Sequence, residues 1–293
     1  VLYAERGRGK TSLANLVAQA AAAGGYMVAR HACTAESRFD SIMRGLVSDL
    51  PRPLLTAPPD RAEEHGPPRG CEGALPPRDV RPPDVVALPR RLAGRLVFMI
   101  DEFDRVTDEA ARTRLADTIK QVSDCREPLG FVIIGVSDSL EQLLGRHPSI
   151  ERNVVGVPLP LLSDAEIDAI VTRGALEAGL EFPEGARRCI AWLARGVPYA
   201  AQLLALRAGQ ASLDRGSVRV TGADLAAAVA RVAQGANPRV RALYEELTEG
   251  GGDRAMIGLL RAIAAGPQDD FGRFQAVPCA GGAGWRVGGF PAD

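Results

Sequence analysis

The residues best suited to do chemistry stand at the start of the chain. Ala4-Glu5-Arg6-Gly7-Arg8-Gly9-Lys10-Thr11 follows the apolar run Val1-Leu2-Tyr3 and precedes Ser12-Leu13-Ala14-Asn15-Leu16-Val17, whose apolar residues recur at helical spacing. Strand, Gly-rich loop, Gly-Lys-Thr and helix, in that order, form a cradle for phosphate. Gly7 and Gly9 let successive backbone N–H groups turn toward one anionic centre. The helix that follows points its positive end at the same place. Lys10 would reach the β- and γ-phosphates, and the Thr11 hydroxyl would bind Mg²⁺. Gly7, Arg8, Gly9, Lys10, Thr11 and Ser12 are therefore the candidate nucleotide-binding set. Ala4 stands where such loops usually have their first Gly, a small departure. Lysine usage supports the reading. Of 35 basic residues only Lys10 and Lys120 are lysines. A chain that otherwise uses Arg keeps a point-charge ammonium at the one place where a broad guanidinium fork would not fit.

A second candidate lies about 90 residues on. Arg95-Leu96-Val97-Phe98-Met99-Ile100-Asp101-Glu102 is an unbroken apolar run ending in two carboxylates. Such a run reads as a strand buried on both faces of a parallel sheet, and open α/β sheets bind ligands at the carboxyl ends of their strands. Asp101 would hold Mg²⁺ through water, and Glu102 is placed to polarise the water that attacks the γ-phosphate. A strand ending in acids is common by itself; together with Gly-Lys-Thr upstream it becomes specific. Asp104-Arg105 reads as a local ion pair without a role. The buried run 130–136 ends at Ser137-Asp138-Ser139, where a polar side chain could sense the γ-phosphate, or simply make a turn.

These residues need an α/β frame. Helices are expected at 11–22, 36–50 and 108–122, with strands at 26–29, 95–102, 130–136 and through Val154, Val155 and Val157, and a short helix at 139–145. The stretch 51–90 holds 11 of the 21 prolines. Proline removes a backbone donor and fixes φ, so the segment reads as a long mobile loop inserted in the nucleotide domain. From 163 the pattern is helical: 163–178 capped by Ser163 and Glu166, 185–194, 198–212 opened by Pro198, and 221–234 capped by Thr221 and Asp224. Asn237-Pro238 starts one more helix and 252–265 another. From Gly266 the text is rich in Gly and Pro and reads as loosely structured. The division expected is 1–160, 161–235 and 236–293, the last resembling the start of a further domain.

A net charge of -1 gives no global signal for nucleic acid or membrane surface. Cys33, Cys71, Cys125, Cys189 and Cys279 are scattered, without metal-ligand spacing or a disulfide framework. No apolar run approaches the ~18 residues that cross a bilayer, so a cytoplasmic protein is the default expectation. The chain opens without Met on a core strand, so a preceding segment is expected.

With AERGRGKTS at 4–12 and LVFMIDEFD at 96–104 on the page, the chain resembles AAA+ P-loop ATPases of the Orc/Cdc6-like and STAND-like kind over about 1–234. The resemblance implies a parallel five-stranded sheet sandwiched by helices, followed by an all-α lid, with ATP and Mg²⁺ as ligands. It places sensor 1 at Ser137 or Asp138. An arginine finger falls at Arg152, with Arg146 as competitor, completing the site of a neighbouring subunit. Gly196-Val197-Pro198 resembles the GxP motif, which puts Pro198 in the nucleotide-binding set. Sensor 2, often Arg, is Tyr199 here, with Arg195 as a possible substitute. The activity implied is Mg²⁺-dependent ATP hydrolysis by a switch or motor subunit with a homo-oligomeric or protein partner. The alternatives are a nucleotide-binding module without turnover and a DNA-associated ATPase.

Overall fold

The computed structural model describes residues 1–50, 71–137, 152–235, 238–249, 254–266, 269, 276–278 and 285–287. The chain divides into two compact units, Val1–Leu159 and Pro160–Asp293.

In the first unit, β1 (Leu2–Tyr3), β2 (Met27–Ala32), β3 (Leu96–Asp101), β4 (Leu129–Gly135) and β5 (Val157–Pro158) form one parallel sheet in the order β2-β3-β4-β1-β5. Crossovers run through α1 (Lys10–Ala23), α2 (Phe39–Asp49) and α5 (Glu109–Cys125). Side-chain parity explains the layers, because successive residues of a strand point to opposite faces. Leu96, Phe98 and Ile100 enter a large core with α2 and α5, while Val97 and Met99 pack with Leu13, Ala14 and Val17 of α1. Phe98 meets Phe131 edge to face at 5.9 Å between ring centroids. The same parity puts Asp101 on the α1 face, beside the helix that leaves the phosphate loop. Burial on both faces is why β3 reads as a continuous apolar run.

The Pro-rich segment departs from expectation. Residues 51–70 lie outside the described residues, but 71–91 is built structure: a 3₁₀ turn at Cys71–Ala74 and two short helices, α3 (Pro82–Val86) and α4 (Leu88–Arg91). Leu75, Val80, Val85 and Leu88 are buried in the main core. The prolines of these helices do not prevent this because they stand within the first turn, Pro82 and Pro83 opening α3 and Pro89 at the second position of α4, where no intrahelical N–H is required. Asp84 fixes the entry to α3. It accepts from the Arg81 N–H at 2.9 Å and from both Arg78 terminal nitrogens at 2.8 Å, and the Arg78 guanidinium holds its carboxyl below the usual range.

The second unit is helical: α6 (Asp164–Glu177), α7 (Glu184–Ala194), α8 (Pro198–Asp214), α9 (Gly222–Gln234), α10 (Pro238–Glu249) and α11 (Arg254–Ala265). The capping boxes expected at Ser163 and Thr221 are present. Residues 276–278 and 285–287, expected to lack regular structure, pair as antiparallel β6 and β7. Among the described residues no helix is long and apolar enough to cross a membrane.

Gly196, between α7 and α8, has φ of +72°, and a Cβ there would lie 2.5 Å from the Leu162 carbonyl oxygen. The left-handed conformation alone costs a non-Gly residue ~1–2 kcal/mol, and the clash adds to it. Gly196→Ala is therefore expected to lower the melting temperature by several degrees, read by circular dichroism. An unchanged melting temperature would show that this turn has room to relax.

Candidate functional site

The site grows from the end of β1. The phosphate loop leaves this strand, and Gly7 and Gly9 both adopt positive φ, 80° and 88°. Gly9 is the N-cap of α1, and no heavy atom lies within 4 Å of where its Cβ would be. Left-handed backbone at the N-cap and open space above it make the cradle an anion needs. Lys10 is the first residue of α1. Its Nζ donates to the Ala4 carbonyl at 2.7 Å and the Glu5 carbonyl at 2.8 Å. Burial lowers the Lys10 pKa, and the charges of Asp104, Glu5 and Asp101 oppose that shift. The ammonium thus lies in the field of the acids at the end of β3, although β4 stands between β1 and β3 in the sheet. Thr11 and Ser12 are exposed on the first turn of α1, whereas the Arg8 side chain is buried at 9 % exposure.

The two carboxylates behave differently. Asp101 ends β3, half-buried. Its Oδ1 accepts the Glu102 N–H at 2.9 Å and its Oδ2 is in contact with the Arg30 guanidinium. Glu102 leaves the strand in a left-handed conformation, φ 52°, which turns its side chain out of the sheet register. Its Oε2 accepts from Arg105 Nη1 at 2.6 Å. The local ion pair thus joins Arg105 to Glu102 rather than to Asp104, because the 3₁₀ turn Phe103–Arg105 brings i and i+3 together. Asp104, given no role from sequence, accepts the Val136 N–H at 2.9 Å and so ties the exit of β3 to that of β4.

Ser137 is half-buried, two residues past the end of β4. Asp138, Arg146 and the short helix at 139–145 lie outside the described residues. Arg152 is exposed in the turn before β5. Pro198 belongs to the second unit, at the first position of α8, and Tyr199 beside it is exposed. Arg195, considered as a substitute for sensor 2, donates to the Gly266 carbonyl at 2.5 Å. The structure therefore brings Gly7, Gly9, Lys10, Thr11, Asp101 and Glu102 to one end of one sheet. Sequence reasoning missed Arg30, Asn15, Asp104 and Arg105. For Arg30 a signal existed: a charged residue inside the strand Met27–Ala32, on the α1 face by parity.

The cradle, a half-buried ammonium, and the Thr11 hydroxyl and Asp101 carboxylate at the same end of the sheet fit a nucleotide phosphate with a hard divalent cation, which typically takes one or two protein ligands and keeps its waters. Cys33, close by, does not join such chemistry; burial pushes its thiol up to about 12.

Residues 1–144 match the family model of an AAA domain. No curated protein matches the sequence. Among solved structures, the Thermotoga maritima RuvB Holliday junction branch migration motor is similar with a TM-score of 0.56 at 17 % identity, over 89 % of this chain and 73 % of that one. The Aeropyrum pernix ORC2 protein, solved as ADPNP and ADP complexes, is similar at 0.56 and 16 % identity, over 94 % and 81 %. The Aeropyrum pernix ORC1 protein in complex with DNA gives 0.52 and 20 % identity, over 94 % and 67 %. At these identities the likeness is one of fold.

Proposed function

We propose that this chain is an AAA+ P-loop ATPase, a reading supported by the match of residues 1–144 to an AAA domain model, and that it hydrolyses ATP with Mg²⁺ at the C-terminal ends of β1 and β3 as a switch or motor subunit. The observation that supports this most is the field at Lys10: its ammonium, first in α1, is acted on by Asp101 and Asp104 across one intervening strand. In the proposed site the N–H groups of Gly7 to Thr11 bind the phosphates and Lys10 neutralises them, with Ser12 beside them on the same turn. Arg8 contributes through its backbone, since its side chain is buried. Thr11 and Asp101 hold the metal. Bound Mg²⁺ would neutralise the charge that develops on the phosphate oxygens. Glu102 polarises the attacking water, which requires its carboxylate to leave Arg105. Ser137 is assigned to sensing the γ-phosphate, and the Gly196-Val197-Pro198 turn to the nucleotide response of the second unit.

Arg152 is proposed to act on a neighbouring copy of the chain. Its exposure in the turn before β5 supports this. Fingers of this kind are worth roughly 10³–10⁵ in kcat. Specific ATPase activity is accordingly expected to rise with protein concentration, and Arg152→Ala to lower it at least ~100-fold at every concentration. Activity independent of concentration would remove the finger from this residue. ATP bound without turnover at any concentration would overturn hydrolysis and leave a nucleotide-binding module, a reading that the exposed Tyr199 and the Arg105-held Glu102 favour.

RuvB is described as a branch migration motor and ORC1 was solved with DNA. Duplex DNA is therefore a partner to test by salt-dependent gel shift, although the net charge of -1 supplies no broad basic field.

A further inference from the structure

Arg30 sits where a strand residue would ordinarily pack. In the β2–β3 register Ala32 pairs with Asp101, so Arg30 lies one side-chain repeat behind Asp101 on the same face. Its guanidinium reaches forward as a fork. Nη2 donates to Asp101 Oδ2, and Nη1 donates to Asn15 Oδ1 at 2.7 Å. Since Asp101 Oδ1 already accepts the Glu102 N–H, both carboxylate oxygens are engaged. The fork also joins α1, the helix of the phosphate loop, to β3. A single ammonium could not bridge both acceptors in this planar way. The pair is largely sheltered, with side-chain exposures of 33 % for Arg30 and 15 % for Asp101, so solvent screens it less than a surface pair.

Two effects on a divalent cation oppose one another. The fork orients Asp101, but its positive charge stands against the oxygen that would face the metal. The Glu102 N–H orients Asp101 independently of Arg30, whereas among the described residues Asp101 is the only carboxylate bonded to the Arg30 side chain. Charge should therefore outweigh orientation. We infer that Arg30, acting through Asp101, raises the Mg²⁺ concentration needed at the nucleotide site because its positive charge at Oδ2 opposes that of the cation. This rests on the assignment of Asp101 to the metal.

The test is a binding measurement. Mg²⁺ is titrated into the full chain with a fluorescent ATP analogue, and half-saturation is compared with nucleotide affinity in EDTA. Arg30→Met and Arg30→Gln are expected to lower half-saturating Mg²⁺ at least ~3-fold, because charge repulsion in a sheltered site is removed. Affinity in EDTA should stay within about twofold, which also reports an intact fold. Arg30→Lys keeps the charge and should stay near the parent value. Unchanged half-saturation in both neutral variants would overturn the inference, and so would an equal fall in Arg30→Lys, which would trace the effect to fork geometry. If the parent binds nucleotide without regard to Mg²⁺, the assignment of Asp101 fails and this inference falls with it.

Discussion

Glu102→Gln is expected to bind Mg²⁺-ATP within about threefold of the parent and to turn it over at least ~100-fold more slowly, the usual scale for losing a positioned general base. The substitution isolates chemistry from folding. Gln matches Glu in shape and tolerates the same left-handed backbone, φ 52°. What it loses structurally is the ion pair to Arg105, and both partners of that pair are about half exposed. Exposed pairs contribute little to stability, so the melting temperature should hold. Single-turnover kinetics beside equilibrium binding separates the steps. Turnover at parental rate would remove Glu102 from the reaction and transfer attention to Asp104, whose charge acts on Lys10. A loss of binding equal to the loss of turnover would instead make Glu102 part of the ground-state site.

Lys10→Ala is expected to strike binding first. The Nζ group lies at the loop, on the carbonyls of Ala4 and Glu5, and in the proposed complex it exchanges those neutral acceptors for phosphate oxygens. A hydrogen bond to a charged group contributes ~1.5–3 kcal/mol, which corresponds to roughly 10- to 100-fold in affinity, with turnover lost as well. Lys10→Arg tests the composition argument: if a fork cannot enter the cradle, it should bind no better than Lys10→Ala. Parental affinity in Lys10→Arg would show that the loop accepts either cation. Isothermal calorimetry with ATP in Mg²⁺ reads both variants.

Much of this site is legible in sequence because its chemistry is carried by contiguous runs. AERGRGKTS and LVFMIDEFD each encode a strand, a turn and the functional groups, and the helix caps at Ser163 and Thr221 are equally local. What escaped reading depends on strand register. Arg30 and Asp101 are 71 positions apart and meet only because β2 pairs with β3. Asp104 meets Val136 only because β4 lies beside β3. The misreading of 71–90 has a different cause. A proline count over the window hides an effect that depends on position: at the head of α3 or α4 proline costs nothing, and Leu75, Val80, Val85 and Leu88 between the prolines mark the buried structure.

The sheet order also bears on how the protein is made. β1 has only β4 and β5 as neighbours, with Leu2 opposite Ile134 and Val157. On the ribosome, at about 5–20 residues per second, the strand that starts the phosphate loop waits on the order of ten seconds for its first partner. β2 and β3 can pair sooner, since Met27 meets Leu96. The cradle is then the last part of the sheet to be completed, and a nascent chain stopped short of β4 holds its Gly-Lys-Thr without a wall behind it. Nucleotide can select only the finished domain, which it stabilises by ~2.7 kcal/mol at a hundredfold excess over Kd. On the proposed function, nucleotide would then act as a checkpoint on newly synthesised copies before any turnover begins.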